Sequence, residues 1–411
     1  MKKKIIIIGA GITGLYSAII LSQRGHNVSI YETKSDAGGI LRDVDYNGEM
    51  YYRACQFFNA DSKWFQEIKI LLNEEFHTFE PSYGSFLENE NETVLSNDFS
   101  VPVFNDLIIK DLKQTQNIKT LYDRINLYDD NVKFFLDKFF KQLNINAKNI
   151  SENCAINLQT NRVTSLTQKD LLNKKKKENK TFDNIYAIDS SSLNIKYLVS
   201  LPVNGFNSFF DNLVQSNKNK INFHFNSKII PKWTNGKLQI KANKKILDSD
   251  QIIWTGNPTM LINSFSSNKM KSAVIRAVQL NTKLLSSNKK FYYVQVFSLK
   301  TPIYRIYIYE IKGVKKISVE MIKNDINRVL LAKKIKDILF SLGVIVELDL
   351  KNINETNLLR HDLTTINDLD LIKSMKEYRE ESKLICSPWD IYSRDIKIEY
   401  LQNAFLQKGL I

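Results

Sequence analysis

Residues 4–42 read KIIIIGAGITGLYSAIILSQRGHNVSIYETKSDAGGILR, and this stretch decides the fold. It opens with Ile5–Ile8, a β-branched run without polar alternation, which is typical of a strand buried on both faces of a parallel sheet. Apolar residues then recur at helical spacing over Ile12–Arg24, and Gly25 marks the predicted end of that helix. A second apolar strand, Val28–Tyr31, follows. The order of strand, helix and strand predicts a βαβ unit within an α/β protein.

The turn between the first strand and the helix is rich in glycine. Gly9, Gly11 and Gly14 form the pattern G-x-G-x-x-G, and Glu32 stands at the end of the second strand. In this context the pattern indicates dinucleotide binding. The first glycine permits the tight turn, the second lets a pyrophosphate approach the backbone, and the third lets the helix pack closely on the sheet. The N–H groups at the helix start favour phosphates, and Glu32 can accept hydrogen bonds from ribose hydroxyls.

A second glycine pair, Gly38 and Gly39, follows Glu32. With it, residues 4–42 resemble the N-terminus of a superfamily of FAD proteins that includes amine oxidases, protoporphyrinogen oxidases, phytoene desaturases and UDP-galactopyranose mutases. The resemblance implies an α/β fold, with a discontinuous Rossmann-like FAD-binding domain and an inserted α+β substrate domain. It also implies that FAD is the cofactor and that the cofactor-binding residues are Gly9, Gly11, Ile12, Thr13, Gly14, Glu32, Lys34, Gly38, Gly39, Ile40, Leu41 and Ile229.

The remaining chain can be divided on the same resemblance. Its 411 residues suggest two or three domains. We expect residues 1–50, 200–261 and 376–411 to form the discontinuous FAD-binding domain. Residues 51–199 and 262–375 are then expected to form the substrate domain.

Two segments depart from the pattern of the resembled proteins. Tyr51–Phe58 resembles the Y-G-A-H-x-F motif of the mutases, whose backbone and His lie beside the flavin, but Arg53 replaces the Gly and Cys55 the His. The Gly-Asp pair that follows the last strand in the superfamily is missing, and Asp390 and Asp395 are the candidates to replace it. Three functions therefore stay open: an FAD-dependent oxidoreductase acting on a small organic substrate, a flavin-dependent sugar-nucleotide mutase, and a dinucleotide-binding protein with a degenerate catalytic site.

The sequence contains few other groups with catalytic chemistry. Residues 291–309 are rich in Tyr and Phe and predict a β-hairpin, in which Arg305 could pair with an anionic substrate such as a sugar nucleotide. The strand period predicts that Tyr304 and Arg305 point to opposite faces. The weak catalytic candidates are Cys55, Arg305 and His361. We find no triad and no metal-ligand spacing, so a bound flavin would carry the chemistry.

Composition limits the other classes. The formal net charge is +14, but the lysines are spread out and no recognition motif is present, so we expect no specific nucleic-acid binding. Three widely spaced cysteines favour a reducing, cytoplasmic compartment over a disulfide or zinc framework. The apolar N-terminal run is interrupted by glycines, so we expect no transmembrane segment. His26, in the turn after the helix, is expected to face solvent. The sequence indicates no particular oligomeric state.

Overall fold

The computed structural model describes residues 2–53, 56–72, 74–88, 93–96, 101–102, 118–128, 130–155, 157–160, 163–164, 174, 177–178, 198–234, 237–266, 268–270, 272–322, 327–381, 383–389 and 393–411. Its strands in chain order are β1 Lys4–Ile8, β2 Asn27–Tyr31, β3 Val44–Tyr46, β4 Glu49–Tyr51, β5 Phe58–Asn59, β6 Phe76–Phe79, β7 Tyr83–Glu88, β8 Thr93–Ser96, β9 Val101–Pro102, β10 Val163–Thr164, β11 Val199–Pro202, β12 Ile221–His224, β13 Ile229–Thr234, β14 Lys237–Ala242, β15 Lys245–Ile246, β16 Gln251–Trp254, β17 Ala273–Ser287, β18 Tyr292–Ser298, β19 Ile303–Ile311, β20 Val314–Met321, β21 Val346–Leu348, β22 Asn354–Leu363 and β23 Leu384–Cys386. Its helices are α1 Ile12–Gln23, α2 Lys63–Leu72, α3 Leu121–Ile125, α4 Asp130–Gln142, α5 Gly205–Asn217, α6 Thr259–Phe265, α7 Arg328–Ser341, α8 Ile366–Glu381 and α9 Arg394–Gln407.

Five strands from distant parts of the chain form a parallel sheet, here named the nucleotide sheet. Their order is β12-β2-β1-β16-β23, and each neighbouring pair is parallel. The isoleucines of the central strand β1 alternate between two cores: Ile5 and Ile7 pack on one side, and Ile6 and Ile8 on the other. Both faces are therefore buried, which explains the unbroken apolar run and confirms the predicted α/β class.

Different elements cover the two faces of the nucleotide sheet. On one face, α1, α5 and α9 contribute Leu15, Phe210 and Leu401 to the core. The other face packs against the small sheet β13-β14-β15 and helices α6 and α8, which contribute Ile240 and Leu261, among others. Helices on both sides of a parallel sheet are the arrangement expected of a doubly wound α/β fold.

A second, larger sheet lies beside the first and is here named the roof sheet. Its strand order is β21-β17-β20-β19-β18-β7-β8, and β22 also pairs with β17. The predicted hairpin within residues 291–309 is present as the antiparallel pair β18 and β19. One face of the roof sheet buries Ile306 and Ile308 against α7, which begins at Arg328 because Asn327 caps its first turn. The helix α4 packs near Phe297 at the far edge.

His26 is buried, so the expectation that it faces solvent was wrong. Only 8% of the residue is exposed. Its Nδ1 accepts a hydrogen bond from Lys3 N (3.1 Å), and its Nε2 lies 2.9 Å from Leu410 O. Since Nδ1 accepts, Nε2 carries the proton and donates to that carbonyl. The chain after α9 folds over this turn, which no local pattern around His26 indicates.

Candidate dinucleotide site

Five glycines meet at the carboxyl edge of the nucleotide sheet, and we name them the glycine cradle: Gly9, Gly11, Gly14, Gly38 and Gly39. The two glycine motifs touch directly, because Gly38 N donates to Ala10 O (2.8 Å) and Gly11 forms a bridge with Gly38. Gly9 and Gly38 have φ of +105° and +112°, a region that favours glycine. A Cβ on Gly14 would overlap Gly9 O, so this glycine allows α1 to lie close on the turn.

Gly11 differs from the other members of the cradle. Its backbone has φ −69° and ψ 171°, which any residue can adopt. A Cβ built on it would meet no atom within 4 Å. The fold therefore does not need glycine at this position, and the open space lies in front of the first N–H groups of α1. This is the space that a pyrophosphate would occupy.

Glu32 lies beside the cradle at the end of β2. Its Oε2 accepts from Ala10 N (2.8 Å), and its Oε1 accepts from Lys34 N (2.9 Å) and Thr33 Oγ1 (3.0 Å). These bonds aim the carboxylate along the edge of the sheet. A carboxylate has about four acceptor positions, so capacity remains for a ribose hydroxyl. The residues present therefore fit a dinucleotide.

Three residues that support the cradle, Thr255, Gly256 and Phe210, were not among the predicted site residues. Thr255 Oγ1 donates to Ile8 O (3.0 Å), and Gly256 N would lie 3.0 Å from a Cβ on Gly9. The ring of Phe210 on α5 would lie 2.5 Å from a Cβ on Gly38. Thr255 and Gly256 directly follow the buried strand β16. Their position after a buried apolar run was the sequence signal by which they could have been found.

Asp43, shortly after the cradle, is a buried carboxyl group. Its Oδ2 accepts from Asn207 N (3.0 Å) in the first turn of α5, while its Oδ1 has no hydrogen-bond partner within the described residues. Burial raises the pKa of Asp43 from 3.8 to about 7, although the helix N–H groups and the charges of Arg42 and Lys316 oppose the rise. Gly205 permits this approach, because a Cβ there would lie 2.6 Å from Oδ2.

The roof sheet turns a polar face away from α7, and this face is buried. Gln279, Asn281, Gln295, Ser318 and Glu320 are each at most 2% exposed. They occupy neighbouring positions on adjacent strands, as the pairings of Asn281 with Ser318 and of Gln279 with Glu320 show. Burying so many polar side chains on one sheet face is unusual, because each must find a hydrogen-bond partner there.

Arg305 is held within this polar face. Its Nη2 donates to Asn157 O (2.7 Å), its Nε donates to Gln295 Oε1 (3.2 Å), and its Nη1 lies 3.6 Å from Glu320 Oε2. The guanidinium also lies 4.5 Å from the ring centre of Tyr304. The two side chains therefore meet, and the prediction of opposite faces was wrong. The pairing of β19 with β20 shifts register between Ile303 and Arg305, and this irregularity breaks the alternation.

The other candidates fall in different places. Cys55 and Asp390 lie outside the described residues. His361 is opposite Ile275 in the pairing of β22 with β17.

Asp395 accepts from Trp64 Nε1 (2.6 Å) and so joins α9 to α2, which leaves it no evident part in replacing the missing Gly-Asp. Lys34, Thr13 and Ile12 lie at the cradle, where Ile40 is 70% exposed and Leu41 is buried. Ile229 begins β13, is paired with Ala242 of β14 and is buried.

Two further findings concern the part of the chain that the structure describes. It contains no group of three or more His, Cys, Asp or Glu side chains arranged to hold a metal ion. Within the same residues, no helix combines the length and the apolar character needed to cross a bilayer.

Comparison with known sequences matches the N-terminal part of the chain. Residues 7–71 match the family of NAD(P)-binding Rossmann-like domains. A 4,4'-diapophytoene desaturase from Methylomonas sp is 37% identical over 87 residues, which are 21% of this chain and 15% of the desaturase. The L-amino acid oxidase Lm29 from Lachesis muta is 29% identical over 98 residues, 22% of this chain and 19% of the oxidase. The matched part thus spans less than a fifth of either relative.

Solved structures resemble the whole chain. A reduced UDP-galactopyranose mutase superposes with a TM-score of 0.65 at 13% identity, covering 100% of this chain and 96% of the mutase. A redesigned putrescine oxidase superposes with a TM-score of 0.59 at 12% identity, covering 99% of each chain. At such identities the likeness establishes the fold. The chain therefore has the fold that these two solved structures share, and its residues 7–71 form an NAD(P)-binding Rossmann-like segment within it.

Proposed function

We propose that the chain binds FAD at the glycine cradle and is an FAD-dependent oxidoreductase acting on a small organic substrate. The observation that carries the proposal is Gly11, which the fold does not require and which leaves open space before α1. The flavin, when bound, would supply the redox chemistry. The similarity of residues 7–71 to Rossmann-like domains, and the names of the desaturase and the oxidases above, support the same conclusion.

Each part of the chain has a defined task in this proposal. The N–H groups at the start of α1 would bind the diphosphate, and Glu32 would accept hydrogen bonds from the adenosine ribose. Ile40 and Leu41 would follow the cofactor along the second glycine motif, and Ile229 would lie nearest the adenine. The buried polar face of the roof sheet would keep water away from the reacting end. The free thiols of Cys154 and Cys386 agree with a reducing compartment such as the cytoplasm.

The role expected of Arg305 in binding a sugar nucleotide loses support. We expected Arg305 to pair with an anionic substrate, but its guanidinium contacts Asn157 O and Gln295, and its charge lies close to Glu320. An anionic substrate would need another cation, so we propose a small organic substrate without assigning it a charge. This favours the oxidoreductase over the mutase.

The test begins with the purified protein. We expect a yellow protein with a flavin absorption spectrum, and denaturation should release FAD, identified by its mass. Candidate amines, amino acids and unsaturated substrates are then added in air, and an oxidoreductase should bleach transiently as the substrate reduces it. A protein that stays coloured but converts a sugar nucleotide to its isomer only after dithionite reduction would be a mutase. A colourless protein that does not take up added FAD would refute the proposal.

A further inference from the structure

The main chain of Tyr52 is held on both sides by the roof sheet. Its N–H donates to the hydroxyl of Tyr309 (3.0 Å), and its carbonyl accepts from Gln279 Nε2 (2.7 Å). The Tyr309 hydroxyl is in turn 2.8 Å from Ser318 Oγ, which donates to Asn281 Oδ1 (2.6 Å). Tyr52, Tyr309 and Gln279 are all 0% exposed. Side chains more than 200 residues away therefore fix the position of one peptide unit.

Arg394, from the opposite end of the chain, holds the nearby residues Gln56 and Phe57. Arg394 Nη1 donates to Phe57 O (3.0 Å), and its Nη2 donates to Gln56 Oε1 (3.2 Å). The same guanidinium lies 5.4 Å from the ring centre of Phe58. Arg394 is the first residue of α9, which follows the last strand of the nucleotide sheet. The two ends of residues 52–57 are thus held by two different parts of the fold.

This segment lies where the nucleotide sheet meets the roof sheet. The ring of Tyr52 is 5.2 Å from that of Phe206 on α5, and one turn further along, Phe210 packs against Gly38 of the cradle. On its other side Tyr52 contacts the roof sheet through Tyr309. Ligands of open α/β sheets bind outside the carboxyl ends of the strands. A dinucleotide extending from the cradle toward the roof sheet would therefore pass this segment.

One polar atom beside these contacts has no partner of its own. Asn281 is 1% exposed, and within the described residues its Nδ2 donates no hydrogen bond. Buried donors are nearly always paired, so an acceptor from outside the described residues is expected here. The chain thus presents a free donor next to the contacts that hold Tyr52.

We propose that Gln279, Tyr309 and Arg394 form a positioning clamp, which holds Tyr52, Gln56 and Phe57 in place as part of the wall of the cofactor pocket. Directional hydrogen bonds define the position of a main chain more narrowly than apolar contacts of the same area. The clamp links α9, the roof sheet and the cradle. It rests on the proposed function in one respect, the identity of the cofactor.

Hydrogen exchange tests the clamp independently of any cofactor. Tyr309→Phe keeps the buried ring but removes the acceptor of Tyr52 N–H, so exchange in a peptide that contains Tyr52 should speed up by about tenfold. Tyr293→Phe is the matched control, because its hydroxyl bonds Gln295 within the roof sheet (2.8 Å) and it is also buried. Equal exchange of the Tyr52 peptide in both variants and the parent would overturn the proposal.

FAD affinity distinguishes a positioning role from a purely structural one. Tyr309→Phe and Arg394→Met should each weaken FAD binding to flavin-stripped protein by about tenfold, and Arg394→Lys should recover part of the loss. The double variant should lose less than the product of the single effects, because both release the same segment. Lower melting temperatures with an unchanged FAD affinity and flavin spectrum would overturn the positioning role. If the parent protein binds no FAD, the proposed function fails, and the exchange experiment still decides whether the clamp exists.

Discussion

At the residue scale, Gly11 and Gly14 belong to the same motif, but the fold requires glycine at only one of these two positions. Gly14 is required by the fold, because a Cβ there would overlap Gly9 O. Gly11 has an ordinary backbone conformation and open space around its Cα hydrogens. Both glycines belong to one sequence motif, and only the structure separates the glycine that packing requires from the glycine that the fold does not require.

Gly11→Val should therefore abolish cofactor binding and leave the fold intact. The side chain would extend into the space of the pyrophosphate, while its Cβ meets no protein atom within 4 Å. FAD content should fall to background, and the melting temperature of the flavin-free protein should match that of the flavin-free parent. Gly14→Ala is the control and should destabilise the protein itself. A Gly11→Val protein that retains its full FAD content would show that the cradle is not the site.

Asp43 should make stability depend on pH. Because the folded-state pKa is raised to about 7, the folded protein holds this proton where the unfolded chain, with its ordinary value of 3.8, has lost it. The free energy of unfolding should consequently fall as pH rises from about 4 to about 7, by up to about 1.4 kcal/mol per pH unit from this group. Asp43→Asn, which keeps an acceptor for Asn207 N, should remove that part of the slope. Urea unfolding of both proteins across this range measures it, and identical slopes would contradict the assignment.

At the scale of elements, pairing between strands decides what a side chain can do. Arg305 on β19 and Glu320 on β20 are paired in the ladder, and their side chains are 12% and 3% exposed. The shift of register beside Arg305 brings Tyr304 to the same guanidinium. A residue that the sequence presents as a free cation in an aromatic strand is thus part of a buried ion pair.

Arg305→Ala should lower the stability of the protein by about 3–5 kcal/mol, because it leaves the carboxylate of Glu320 buried without its cation. The double variant Arg305→Ala with Glu320→Gln should recover part of this loss, since the unpaired charge is gone. Chemical denaturation of the three proteins measures both effects. If Arg305→Ala is as stable as the parent but binds an anionic substrate more weakly, Arg305 belongs to the substrate site after all.

At the scale of the whole molecule, two sheets of different character are joined. The nucleotide sheet is parallel and apolar on both faces, whereas the roof sheet is mainly antiparallel and polar on the face that it turns away from α7. The chain passes between them several times, so that three separate segments build the nucleotide sheet. Their junction brings together the cradle, Asp43 and the clamp residues.

The net charge of +14 is also a property of the whole molecule, and we expect it to give only weak nucleic-acid binding. Such binding would rest on counterion release, so the affinity for any DNA or RNA should fall at least about tenfold between about 50 and 200 mM salt. Fluorescence anisotropy with two unrelated oligonucleotides at both salt concentrations measures this. A preference for one sequence that persists at the higher salt would refute the expectation.

The sequence by itself determined the parallel sheet, the glycine-rich turn before α1 and the place of Glu32 directly after β2, because all three depend on short-range order. The run Ile5–Ile8 needs burial on both faces, and the five cradle glycines and Glu32 all lie within residues 9–39. The boundaries of α1 follow from similarly local signals. The hairpin of β18 and β19 was also predicted, since its strands are adjacent in the chain.

Only the tertiary structure decided which side chains meet across these elements. Tyr52 is 257 residues from Tyr309, and Phe57 is 337 residues from Arg394. The partners of Arg305 and the burial of His26 likewise depend on sheet register and on the path of the chain after α9. Register is set by the packing of whole faces and by local irregularities of the ladder, which a pattern of single residues does not contain. The candidate nucleotide site can therefore be read from contiguous sequence, whereas the polar surroundings of the proposed reacting end exist only once the two sheets have packed together.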